Sequence, residues 1–205
     1  MTRRTVAVIT AGLSQPSASR LLADQLAAAT VGELERDGAE VDLHVIEVRD
    51  LARDVANNLV TGFPSAALKA AVDAVAGADG VIAVAPTFRA SFGGLFKSFI
   101  DVLDETALDG RPVLIGATGG TARHSLVLEH AMRPVFTYMH AVVVPTSVFA
   151  ATEDWAGDAS MAPLRARISR AARELASEIG RRGPVAVTDP FALTTSFDEL
   201  LRGGE

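Results

Sequence analysis

The sequence predicts an open α/β sandwich, in which helices cover both faces of a parallel sheet. Three observations predict it. Short apolar runs of strand length alternate with segments of helical spacing, β-α five times over. The clearest run, Gly80-Val-Ile-Ala-Val-Ala-Pro86, is apolar on both faces, as a central parallel strand is. No internal repeat or linker divides the chain, and 205 residues with 49% apolar content support one full-sized core.

Val6 to Ile9 is the first strand, short and continuously apolar. Gly12 opens a polar loop, and Leu22 and Leu26, one turn apart, mark the first helix, which Arg36-Asp37-Gly38 stops. Val41 to Val48 is the second strand, with Val41, Leu43 and Val45 on one face. Arg49 to Pro64 reads as a long irregular segment, a kind that often serves function or subunit contact. Ser65 to Ala76 is a helix ended by Gly77, and the Gly80 to Pro86 strand follows. A helix runs from Gly93-Gly94 to Leu103, a fourth strand over Pro112 to Ala117, and a helix over Ser125 to Tyr138 that Pro134 kinks. Ala141 to Pro145 is the fifth strand, Thr146 to Ser160 is irregular, and Met161 to Arg181 is the last long helix. Five strands in one domain point to a flavodoxin-like order, a three-layer sandwich with ligands outside the carboxyl ends of the strands. The expected division is a domain over 1–183 and an extended tail over 184–205 ending in a short helical turn.

Charge and composition exclude several classes. A net charge of −6 with no Lys/Arg stripe argues against nucleic acid. Cysteine is absent, which removes disulfides, thiol catalysis and cysteine-ligated metals. Arg3-Arg4 lacks the apolar stretch of an export signal, and no run reaches membrane-spanning length, so a cytoplasmic protein without membrane contact is expected. His44, His124, His130 and His140 form no metal-binding spacing. Asp101 and the Asp104-Glu105 pair read as solvated carboxylates, and Ser125 and Ser147 lack a nucleophile elbow.

Loops after the first, third and fourth strands of such a sheet open on one edge. In the first, Gly12, Ser14, Gln15, Ser17, Ser19 and Arg20 combine hydroxyls with a helix start, where free amides and the helix dipole favour an anion. Neither a dinucleotide fingerprint nor a P-loop is present. In the second, Pro86, Thr87, Phe88, Arg89, Ala90 and Ser91 offer a stiff turn with backbone amides. In the third, Thr118, Gly119, Gly120 and Thr121 let backbone approach a planar ligand. A phosphate holder beside two backbone-rich loops fits flavin mononucleotide (FMN), whose electronics nearby N–H groups would tune.

Gly12 to Arg20, Pro86 to Ser91, and Leu95-Phe96-Lys97-Ser98-Phe99-Ile100-Asp101 resemble the NAD(P)H-dependent FMN reductase family. Thr118 to His130 and Pro145 to Trp155 resemble its actinobacterial-type branch, whose members partner luciferase-like monooxygenases. The likeness covers roughly residues 5 to 180. Where many relatives carry an aromatic-Asn pair in the second loop, this chain has Phe88-Arg89. The resemblance implies that Ser14, Gln15, Ser17 and Ser19 hold the phosphate, that Pro86 to Ser91 line the isoalloxazine, and that Thr118 to Thr121 touch the rest of the ring. It implies NADPH or NADH as hydride donor, with Arg89 and Arg123 candidates for its phosphates. No catalytic side chain is named, since hydride transfer needs aligned rings. A homodimer or tetramer is implied, with Phe92, Phe96, Phe99 and the Arg49 to Pro64 segment as interface candidates. Two alternatives stand: a flavodoxin-type electron carrier, and a reductase of quinones, azo dyes or metal ions through bound FMN. Against the carrier, Trp155 and Tyr138 lie outside the expected ring loops.

Overall fold

The computed structural model describes residues 2–185; the expected tail from 186 onward lies outside the described residues. Its strands are β1 (Thr2–Thr10), β2 (Ala39–Glu47), β3 (Gly80–Phe88), β4 (Ser91–Phe92), β5 (Pro112–Gly119), β6 (Val142–Val143) and β7 (Val148–Ala151). Its α-helices are α1 (Ala18–Arg36), α2 (Ala52–Thr61), α3 (Ala66–Ala76), α4 (Gly94–Ile100), α5 (Arg133–Tyr138) and α6 (Asp158–Gly180). The sheet runs β2-β1-β3-β5-β6, with β7 parallel on β5 and β4 antiparallel on β3.

Alternation along the strands builds two cores. Ala7 and Ile9 of β1, Val81, Ala83 and Ala85 of β3, and Val113, Ile115 and Ala117 of β5 face α2, α3, α4 and α5. Val6 and Val8, Ile82 and Val84, and Leu114 face α1 and α6. Gly116 belongs to this second side: a Cβ there would stand 3.2 Å from Val84 Cγ2 and 3.3 Å from Leu26 Cδ1, so its absence lets α1 lie close on the sheet. Phe96, Phe99 and Phe136 are fully buried on the first side, each contributing about 1.5–3 kcal/mol. β2 is an edge strand, so Leu43 and Val45 keep 39% and 37% exposure and Ile46 carries its burial.

The sheet has seven strands where the sequence suggested five. The expected fifth strand is interrupted: β6 pairs Pro112 and Val113 with Val142 and Val143, and β7 resumes at Gly116↔Val148. Pro145 lies in the gap, where a residue without an N–H cannot serve a ladder. The remaining extra strand, β4, is the return arm of a hairpin inside the expected loop after β3. Thr118 and Gly119 are the last two residues of β5, so the strand runs into the expected third loop further than the sequence suggested.

Further expectations are corrected. Arg49 to Pro64 is not irregular: a 3₁₀ turn over Val48–Leu51 leads into α2, which Gly62 ends at φ 77°. Its lone buried residue, Val55, gives too thin an apolar signal to read as helix. The expected Ser125 to Tyr138 helix breaks into a π turn, Leu128–Met132, followed by α5. Pro134 sits in the first turn of α5, where its missing N–H costs nothing, so it starts a helix rather than kinking one. Thr146 to Ser160 contains β7, a 3₁₀ turn over Thr152–Trp155 and the start of α6. α4 ends at Ile100, short of the expected Leu103. Phe96 and Phe99, proposed for an interface, lie in the chain's own core. Phe96 meets Phe92 and Phe136 edge-on at centroid distances of 5.7 and 6.3 Å.

Among the described residues no single helix is long and apolar enough to cross a membrane, and no cluster of three His, Cys, Asp or Glu residues could hold a metal.

Candidate functional site

The first loop turns on a contact between Gly12 and Ser17. A Cβ on Gly12 would lie 1.8 Å from Ser17 Oγ, so only glycine lets the loop fold over the start of α1. Ser17, extended at φ −114° and ψ 122°, caps the helix: its Oγ accepts from the Arg20 amide at 3.2 Å. The amides of Ala18 and Ser19 find no acceptor within the described chain and form the free end of the helix. Arg49 Nη1 donates to the Ser14 carbonyl at 3.3 Å, pinning the loop from the β2 side.

Ser19 is 2% exposed, and its hydroxyl shares a 2.7 Å hydrogen bond with Thr118 Oγ1, itself buried at the end of β5. The bond joins the first loop to the third. Arg20 does not turn toward this site. Its Nε donates to Asp24 at 2.7 Å and its Nη1 to Glu47; the Asp24 hydrogen bond comes first among the causes that raise its pKa.

The second loop is the β3-β4 hairpin, with Arg89 and Ala90 at its tip in the left-handed region at φ 50° and 67°. Gly93 N donates back to Pro86 O at 2.9 Å. Thr87 Oγ1 is buried and finds no partner among the described residues. In the third loop, Gly119 backs onto Phe149: a Cβ would stand 3.0 Å from that ring. Thr121 caps the short 3₁₀ turn Ala122–His124.

These loops close on one cleft of about 440 Å³, within the range of small-molecule sites. Of the expected residues, Gly12, Ser14, Ser17 and Ser19 line it from the first loop, Pro86, Thr87 and Phe88 from the second, and Thr118, Gly119 and Gly120 from the third. Gln15, Arg20, Arg89, Ala90, Ser91 and Thr121 do not line it. Leu13, Ala18, Ala150, Thr152 and Trp155 line it and were not expected. Trp155 lies outside the ring loops, as expected, yet lines the same cleft. The signal was the apolar run Val148-Phe-Ala-Ala, whose brevity after Pro145 hid a strand beside β5. A larger hollow of about 680 Å³ lies against α4 and α5, beside Lys97, Tyr138 and His140, and none of the expected loop residues reaches it.

Residues 4–156 match the family model described as NADPH-dependent FMN reductase. The chain belongs to this family. It is 37% identical over 176 residues to the NADH-dependent FMN reductase SfnF of Pseudomonas fluorescens, covering 85% of this chain and 91% of that one. It is 35% identical to an FMN reductase (NADPH) of Pseudomonas aeruginosa, covering 86% and 93%. Among solved structures, an oxidoreductase from Corynebacterium diphtheriae superposes with a TM-score of 0.86 at 45% identity, covering 89% of this chain and all of that one. The NADH:FMN oxidoreductase EmoB, in its apo form, follows with a TM-score of 0.70 at 30% identity, covering 82% and 88%.

The cleft of this family member fits a flavin mononucleotide on its own chemistry. The free amides of Ala18 and Ser19 with the Ser14 and Ser17 hydroxyls suit a phosphate monoester at a helix start. Thr87 Oγ1 is an orphaned buried group at the cleft wall that a polar ring edge can satisfy. Among the described residues no lysine or arginine lines the cleft, so the anion would be held by amides, hydroxyls and the helix dipole.

Proposed function

We propose that the protein is an NAD(P)H:FMN oxidoreductase that passes a hydride from a reduced nicotinamide to FMN and releases reduced flavin to an acceptor. One observation carries the reading: the phosphate-type helix start and two later loops line a single cleft at the carboxyl edge of the sheet. Family membership and relatives named FMN reductases support it.

Bound FMN supplies the hydride-accepting ring. The chain binds and orients it. Ser14, Ser17 and the first-turn amides of α1 hold the phosphate, and Ser19 with Thr118 keeps the first and third loops at fixed spacing. Pro86, Thr87 and Phe88 support one edge of the ring, and Gly119 and Gly120 present backbone to the other. Phe88 is 47% exposed at the rim, placed to meet an incoming nicotinamide. A site that grips its anion without a cationic side chain suits a flavin that must also leave.

The same proposal delivers the reduced flavin to a flavin-dependent monooxygenase of the luciferase-like kind, the partner implied by the resemblance of Thr118 to His130 and Pro145 to Trp155; relatives named NADH-dependent FMN reductases support the flavin reduction itself. The same proposal places the enzyme in the cytoplasm as a homodimer or tetramer. Val60 near the end of α2 and Phe63 just after it, 87% and 81% exposed, support an assembly face there, which sedimentation would read.

The test is anaerobic mixing of the purified protein with FMN and NADH or NADPH. Bleaching of the flavin absorbance is expected, and its absence would overturn the proposal. One other reading, an electron carrier, uses the same cleft. Flavin retained through gel filtration with negligible nicotinamide turnover would establish that reading instead.

A further inference from the structure

We propose that Trp155 walls the phosphate end of the cleft and makes the site selective for flavin mononucleotide over flavin adenine dinucleotide (FAD). The inference rests on the flavin reading above and adds to it the residue that sets ligand length.

The two ends of the cleft belong to different faces of the sheet. The hairpin after β3 leads into α4, on the α2-α5 side. The phosphate-type helix start belongs to α1, which packs with α6 on the opposite side. Trp155 packs against that second cluster, with Leu22 and Ala23 of α1, Leu164 and Ile168 of α6, and Ala150 of β7 among its members. It therefore lines the cleft from the α1 side. Topology agrees. β7 pairs Ala150 and Ala151 with Thr118 and Gly119, and Thr118 is bonded to Ser19 in the first turn of α1. The turn that follows β7 thus emerges beside the start of α1.

That turn is held rigidly. Asp154 Oδ2 accepts from the Ala151 amide at 2.8 Å, closing Thr152–Trp155 into one 3₁₀ turn. Asp154 Oδ1 lies 3.5 Å from Arg167 Nη2 on α6, and the same nitrogen reaches Phe149 O at 3.4 Å. An indole on a turn braced from both sides yields little to an intruding group. FMN ends in a phosphate monoester, which stops at the amides. FAD continues through a second phosphate into an adenosine, which must leave the cleft past the helix start. A bulky apolar wall at that exit excludes the longer ligand while leaving the shorter one untouched, so specificity comes from a clash built against the competitor.

The experiment titrates full-length wild type, Trp155→Ala and Trp155→Leu with FMN and with FAD. Trp155 is the sole tryptophan, so wild-type binding of FMN is expected to quench the protein's indole fluorescence. Relative to FMN, FAD affinity is expected to rise about tenfold in Trp155→Ala and by a smaller factor in Trp155→Leu, which keeps an apolar plug if the alanine variant does not fold. Variants that bind FMN with an unchanged FAD-to-FMN ratio would overturn the proposal, as would FMN binding without indole quenching. A wild type that binds no FMN would instead defeat the flavin reading, and this inference with it.

Discussion

Gly12 and Ser17 meet so closely that the first loop is a single device. Gly12→Ala must push its methyl through Ser17 Oγ, 1.8 Å away, and so displace the loop from the helix start. FMN affinity is expected to fall at least about tenfold in a flavin titration. Ser17→Ala removes both the cap on the Arg20 amide and a phosphate hydroxyl, so it should cost about 1 kcal/mol of folding stability alongside affinity. Urea melts with and without FMN separate the two losses. The cap was legible, because a serine just before a helical pattern is a local signal. The partner of Ser19 was not: Thr118 lies 99 residues away, and only the closed sheet brings the two hydroxyls together. Arg20 bonds away from the cleft for a related reason. Its partner Glu47 comes from the end of β2, which the sequence does not place beside α1.

The hairpin between β3 and β4 is the element where sequence and geometry disagree most. Its two-residue tip needs positive φ at both positions, a demand normally met by Asn-Gly, yet Arg89 and Ala90 stand there. Ala90→Gly should raise stability by about 1 kcal/mol, read as a higher urea midpoint. A lower midpoint would show that the turn is not strained. No Gly or Asn marked this turn, which explains why the hairpin was read as an open loop. The π turn after the third loop carries a different dependence. Arg133 bonds the Glu129 carboxylate and holds its pKa below the ordinary 4.5, with Ser147 adding a weaker bond. A depressed carboxylate stabilises the fold fully above its unfolded value and loses that contribution as pH falls through the folded one. Glu129→Gln should therefore lower the urea midpoint at about pH 7 and match wild type once the pH has fallen below the folded-state value. Equal deficits at both values would remove the charge from the explanation.

Across the whole molecule, the order of the parallel strands and the position of the cleft followed from alternation and from the apolar runs of β1, β3 and β5. The far edge did not, since Pro145 splits a strand into pieces too short to show a period. At the sheet end opposite the cleft, Asp79 gathers distant parts of the chain. Its carboxylate accepts from the Thr5 and Val185 amides at 2.8 Å each and faces Arg4 Nη1 at 3.5 Å, while Arg4 Nη2 donates to Arg182 O at 2.7 Å. Arg4 and Asp79 are both buried, so Asp79→Asn should cost about 3–5 kcal/mol, measured by equilibrium unfolding. This knot also sets when the protein can finish folding during synthesis. The first strand's buried guanidinium waits for a carbonyl at residue 182, and α1 waits for α6 to cover its apolar side. A nascent chain still missing that last helix must leave this guanidinium without its carbonyl partner and a greasy stripe wet, so the native state is expected only once the ribosome has released the end of α6.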